Sequence, residues 1–167
     1  MNSRLLLLVV IFGVLAVIGC RKSVQTSGGM SPTIVAGEKV AIDYQAYTTV
    51  EPRRWDVVVL TIPEPAFKGE FKVLKRIIAL PLETISLTSS GIVVNGNSFR
   101  MPDALSNVVY CPTEKLSAHA RTGLVPFPFT VPPEHYFVVG DNWADSLDSR
   151  HYGAVPATNI LGRVQHK

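Results

Sequence analysis

Between Glu38 and Gly140 the apolar residues of this chain fall in short runs rich in β-branched side chains, not at helical intervals. The runs are Glu38 to Tyr44, Trp55 to Ile62, Lys72 to Leu80, Thr84 to Leu87, Gly91 to Val94 and His135 to Gly140, each bounded by Gly, Pro, Asn or Ser. Closely spaced short strands with turn signals, and no sustained 3.6-residue apolar period, predict an all-β fold of mainly antiparallel sheets. Asn95-Gly96 directly after Gly-Ile-Val-Val marks a hairpin, because a type I′ turn needs positive φ at both central residues. The stretch 101–133 is proline-rich and weakly periodic, and is expected to be a small excursion or cap across the sheet.

The chain has 167 residues, 47% of them apolar and 17% charged, which favours one well-filled core over disorder. Its net charge of +3, without a basic run or aromatics interleaved with Lys and Arg, gives no footprint for nucleic acid. The two cysteines, Cys20 and Cys111, do not form a C-x-x-C pair, and the four histidines lack ligand spacing. No metal site and no cofactor are expected.

Leu5 to Ile18 is uninterrupted by charge, with Arg4 before it and Arg21 and Lys22 after it. This makes residues 1–22 a signal or membrane-anchor segment and 23–167 the folded β domain. The helix from Leu5 to Cys20 would be roughly 24 Å long, against a hydrocarbon core of roughly 30 Å, so a cleaved signal and a retained anchor both stay open. Val17-Ile18-Gly19-Cys20 resembles a bacterial lipobox, which makes Cys20 a lipidation candidate. Either reading places the domain at a membrane, in contact with lipid, on the outer side.

On a strand through Phe-Lys-Val-Leu-Lys-Arg-Ile-Ile-Ala-Leu, Lys75 shares a face with Phe71, Val73, Ile77 and Ala79 and is its single charge. Desolvation disfavours an ammonium ion, and a lysine neutralised in this way serves as a general base. The other face carries Lys72 and Arg76, which this pattern does not isolate. A lysine that snorkels to the sheet edge is the alternative.

The segment from Gly140 to Gly153, Gly-Asp-Asn-Trp-Ala-Asp-Ser-Leu-Asp-Ser-Arg-His-Tyr-Gly, resembles the G-D-N-x-x-x-S-x-D-S-R-x-x-G signature of the type I signal peptidases. Asp141, Asp145 and Asp148 do not follow the spacing of a calcium loop. Lys75-Arg76-Ile77-Ile78-Ala79-Leu80-Pro81 is similar to that family's K-R-x-x-G-L-P block, and Gly28-Gly29-Met30-Ser31-Pro32-Thr33-Ile34 to its G-S-M-x-P-T-L block. The resemblance spans about residues 24 to 164.

It implies a signal-peptidase-like β domain with an N-terminal anchor at the bacterial cytoplasmic membrane, on the extracytoplasmic face. The activity it implies is serine endopeptidase cleavage of exported preproteins after a small-x-small site. By position Lys75 is the general base, Ser146 orients it, and Asp141, Asn142, Asp148 and Arg150 are structural. Met30 and Pro32 line the substrate strand, and Ser27 is an oxyanion hydroxyl or an alternative nucleophile. Gly29, however, occupies the nucleophile position, where the family has serine. Ser31 is a second alternative nucleophile, two residues along an expected strand and on the same face as position 29. The other reading is an inactive relative that binds extended peptides or a partner such as an active paralogue. Further departures are Ala79 and Leu82 where the family favours glycine, Trp55 where glycine is usual, and Trp143 and Ala144 in place of Arg and Asp. They suggest relaxed or redirected use of the site.

Overall fold

The computed structural model describes residues 20–62, 71–88, 91–98, 101–108, 110 and 123–165. In chain order the strands are β1 (Cys20–Val24), β2 (Lys39–Asp43), β3 (Val57–Thr61), β4 (Lys72–Ala79), β5 (Thr84–Thr88), β6 (Gly91–Val94), β7 (Asn97–Ser98), β8 (Phe129–Thr130), β9 (His135–Val139), β10 (Val155–Pro156) and β11 (Ile160–Gln165). One α-helical turn, α1, covers Ser149–Tyr152. A seven-stranded sheet runs β1-β2-β11-β3-β4-β9-β10 and a four-stranded sheet β7-β6-β5-β8. Every pairing between these strands is antiparallel.

The run Val57-Val58-Val59-Leu60 is apolar throughout because β3 is central and covered on both faces. Val57 and Val59 pack with Met30, Ile34 and Leu74, while Val58 and Leu60 pack on the opposite face with Ile77, Tyr136 and Val138. A third cluster, including Ile78, Ile85, Phe137 and Trp143, joins the small sheet to the large one. Asn95 and Gly96 link β6 to β7 with φ of 51° and 77°, the double positive φ that a type I′ turn requires.

Strand β4 lies between β3 and β9, with Lys75 opposite Val58. It is buried on both faces from Leu74 to Ala79. The expectation that Arg76 lacks isolation is thereby corrected: the residue is buried, at 4% exposure, and its side chain is held in a network of hydrogen bonds.

The apolar stretch from Leu5 to Ile18 lies outside the described residues, as do Cys111 and much of the stretch 101–133. Among the described residues no helix is long and apolar enough to cross a membrane. The first described element begins at Cys20, so β1 overlaps the interval assigned to the amino-terminal segment.

Candidate active site

Glycine-rich backbone sets where the site can form. A Cβ added at Gly140 would overlap the Ser146 hydroxyl and the Gly29 carbonyl, and would lie 2.6 Å from Ser146 Cβ. Only glycine at the end of β9 lets the loop 141–148 and the turn at Gly28–Met30 close over β4 together. That turn is a single 3-10 turn, closed by the Ser31 N–H donating to the Gly28 carbonyl at 3.0 Å. This corrects the expected strand through residues 27–32, and with it the inference that Ser31 shares a face with position 29. The turn is tied down from the side by Asn142, whose backbone N–H donates to the Gly29 carbonyl at 3.1 Å and whose side-chain amide donates to the Gly28 carbonyl at 3.2 Å.

Loop 141–148 is held by a buried ion pair. Arg150 Nε donates to Asp148 Oδ1 at 2.8 Å and Nη2 to Oδ2 at 2.8 Å, with both side chains fully buried. Asp148 also accepts from the Gly140 N–H at 3.0 Å and caps α1. Arg150 in turn donates to the Trp143 and Ser146 carbonyls and lies 4.0 Å over the Trp143 ring. Burial acts to raise the Asp148 pKa, but the hydrogen bonds and charge of Arg150 outweigh it and hold the carboxyl below its usual range. Trp143 is thus a core residue that braces Arg150.

A second buried pair flanks the first. Arg76 Nε donates to Asp141 Oδ1 at 2.8 Å and Nη2 to Oδ2 at 2.5 Å, while Nη1 donates to the Trp55 carbonyl at 2.8 Å. Trp55 and Leu82 have φ of 75° and 68°. That left-handed conformation explains why glycine suits both places, and here β-carbon-bearing residues are held in it. The Trp55 N–H donates to the Ile77 carbonyl at 2.8 Å and the Leu82 N–H to the Val131 carbonyl at 3.0 Å.

Lys75 emerges from β4 between these two pairs. Its amine is buried, with 6% of the residue exposed, and donates to Ser146 Oγ at 2.8 Å. Desolvation drives the Lys75 pKa below its ordinary value, with Arg150 acting the same way and Asp148 and Asp141 opposing. Neutral at a lower pH than an exposed lysine, the amine can then accept a proton.

The amine faces Gly29. A Cβ at that glycine would lie 3.5 Å from Lys75 Nζ and 3.8 Å from each of Ser146 Oγ and Ser27 Oγ, all ordinary contact distances. The same three polar groups therefore converge on the point where a side chain at position 29 would begin. Ser31 is not among the three nearest atoms to that point. Met30 has no exposed surface and packs in the core beside Ile34 and Val57, so its side chain presents nothing to solvent, whereas Pro32 is exposed. Pro32 borders a depression of about 460 Å³ with Thr33, Arg76, Leu105 and Val108.

Gln25 escaped the sequence reading. Its buried amide donates to the Ser27 carbonyl at 2.8 Å and to Ser27 Oγ at 3.3 Å, fixing the residue that approaches position 29. No sequence signal distinguishes this glutamine from a surface one. Among the described residues no group of three His, Cys, Asp or Glu is placed to hold a metal ion.

Comparison with known proteins places this geometry in context. The family model described as "Signal peptidase, peptidase S26" matches residues 2–167. Signal peptidase I of Leptolyngbya laminosa is 31% identical over 143 residues, 83% of this chain and 63% of that protein. A probable signal peptidase I-2 of Synechocystis sp. is 30% identical over 141 residues and is covered to 58%. Signal peptidase I V of Bacillus subtilis is 34% identical over 145 residues, 81% of this chain and 77% of that protein. The chain thus spans about three fifths of the length of the first two of these relatives. A crystal structure of a signal peptidase I from Enterococcus faecalis aligns with a TM-score of 0.49 at 29% identity, covering 69% of this chain and 97% of that one.

Proposed function

Because the chain belongs to the signal peptidase family, peptidase S26, we propose that it is an endopeptidase that cleaves exported preproteins after a small-x-small site. The segment ahead of β1 would hold it, as a helix or through lipid on Cys20, at the outer face of a bacterial cytoplasmic membrane. The observation that carries the reading is the buried Lys75 amine, hydrogen-bonded to Ser146 at 2.8 Å and facing residue 29. A base desolvated by the fold and steered by a hydroxyl is suited to taking a proton from a nucleophile as it attacks the scissile carbonyl. The Gly29 N–H supplies a donor for the oxyanion.

Gly29 itself favours a second reading, in which the domain binds an extended peptide, or an active paralogue, without cleaving it. The two separate on one experiment. The full chain in detergent is incubated with a test preprotein bearing an Ala-x-Ala site, beside its Lys75→Ala and Gly29→Ser variants. Cleavage by the parent that Lys75→Ala abolishes supports the endopeptidase. An inert parent that gains cleavage on Gly29→Ser contradicts the endopeptidase and supports the non-cleaving reading.

A further inference from the structure

We infer that cleavage at this site uses a water molecule, held where a serine hydroxyl would stand, as the attacking nucleophile, so that no acyl-enzyme forms. The inference rests on the endopeptidase reading above and concerns its mechanism.

The first argument is space. Glycine at position 29 removes a CH₂OH group from a place where its Cβ would touch Lys75 Nζ, Ser146 Oγ and Ser27 Oγ at 3.5 to 3.8 Å. A bound water needs two to four polar partners. Lys75, Ser146 and Ser27 are three, from three separate parts of the chain, and Lys75 is the base.

The second argument concerns Ser27, the serine that approaches this point. Gln25 donates to both the Ser27 carbonyl and Ser27 Oγ, and Gln25 is itself buried and pinned by backbone bonds to Gly37 and Glu38. The hydroxyl oxygen thus accepts from Gln25, which leaves its own proton to donate. A hydroxyl held in that sense is a positioning group for water. The hydrogen bond of the Lys75 amine goes to Ser146 and not to Ser27. Ser31 sits past the 3-10 turn, its N–H used to close it.

The step balances without a co-reactant. Water oxygen bonds to the scissile carbonyl carbon while one water proton passes to the neutral Lys75 amine. The oxyanion forms against the Gly29 N–H. Collapse of the tetrahedral intermediate breaks the C–N bond, and the Lys75 ammonium returns its proton to the leaving amine. The products are the acid and the amine of ordinary peptide hydrolysis.

The full chain in detergent, with a test preprotein, distinguishes the outcomes. Gly29→Ala puts a methyl group within bonding distance of the place where the water would sit, so the two cannot coexist, but leaves Ser27 Oγ at contact distance. Its expected effect is a loss of cleavage of about a hundredfold or more, the scale of a lost catalytic group, with binding of the uncleaved peptide retained as a check on folding. Hydroxylamine added to the parent reaction yields no peptide hydroxamate, and intact-mass spectra show no acylated protein. Gly29→Ser gains both signals because it supplies a side chain that can be acylated. Parent cleavage with an acyl adduct on Ser27 or Ser31, or cleavage that survives Gly29→Ala, overturns the water mechanism and leaves the endopeptidase standing. A parent that does not cleave at all overturns both.

Discussion

The two sides of the site are built to different standards. On the Lys75 side, Ser146, Asp148 and Arg150 are buried and every charge is paired, with Asp148 alone receiving hydrogen bonds from Gly140 and Arg150. On the opposing side, Ser27 and Gly28 are exposed, and position 29 has no side chain. Burying an ion pair costs several kcal/mol per ion in desolvation, and well-packed apolar residues often do as well or better for stability. A network of this kind is weak support for the fold. It is better understood as the frame that keeps a desolvated lysine in one geometry. The difference between the sides teaches that the surroundings of the Lys75 amine are fixed in detail where position 29, which it faces, carries no side chain.

Breaking the rigid side gives the largest expected effect. Asp148→Ala strands the Arg150 guanidinium and the Gly140 N–H in the interior, and denaturant melts should show a loss of about 3–5 kcal/mol. A loss under about 1 kcal/mol would mean the network is not the frame described. Next comes Ser146→Ala, which removes the partner of the Lys75 amine without stranding a charge pair. Cleavage should fall about ten- to a hundredfold in kcat with little change in KM, because the amine is misdirected while the turn at Gly28–Met30 is untouched.

The lysine itself gives a pH signature. Its folded pKa is lowered by burial from 10.5, so between the folded value and 10.5 the unfolded chain binds the extra proton. Stability from this group is therefore least below the folded value and rises with pH across that window. Lys75→Met should erase the rise in melts run from pH 7 to 10.5 and abolish cleavage. A rise that persists in Lys75→Met would place its source elsewhere.

Much of this is legible in the amino-acid sequence. Six strands follow from their alternating or β-branched runs, and the hairpin from Asn95-Gly96. Strand β1 was hidden because Arg21, Lys22, Ser23 and Val24 are all exposed at a sheet edge and show no alternation. Strand β11 was hidden by the register shift between Ile160 and Gly162. The turn at Gly28–Met30 carries no side-chain pattern at its two glycines, and its shape depends on Asn142, more than a hundred residues away. For the same reason the pairing of Arg76 with Asp141, 65 positions apart, is invisible in a local pattern. Lys75 and Ser146 were found through motif resemblance, and the isolation of Lys75 through strand periodicity.

The smallest expected effect addresses the departures from family glycines. Leu82 is 69% exposed at φ 68°, so Leu82→Gly sacrifices little packing. It relieves a left-handed penalty of about 1–2 kcal/mol against an entropic cost of about 0.5–1 kcal/mol. Thermal melts should show a net gain of at most about 1.5 kcal/mol with cleavage unchanged. A large fall in cleavage would show that this departure serves the site after all.

The most direct test is the titration of the Lys75 amine. Selective ¹³Cε or ¹⁵Nζ NMR of the full chain in detergent, assigned with Lys75→Met, reads its protonation without relying on activity. A midpoint clearly below the ordinary 10.5 that moves further down in Asp148→Ala, under conditions where that variant is still folded, is the result expected of a desolvated amine facing Gly29, because the substitution removes a carboxylate that favours the ammonium and leaves the Arg150 charge unpaired beside it. A midpoint at or above 10.5 in the parent would contradict it.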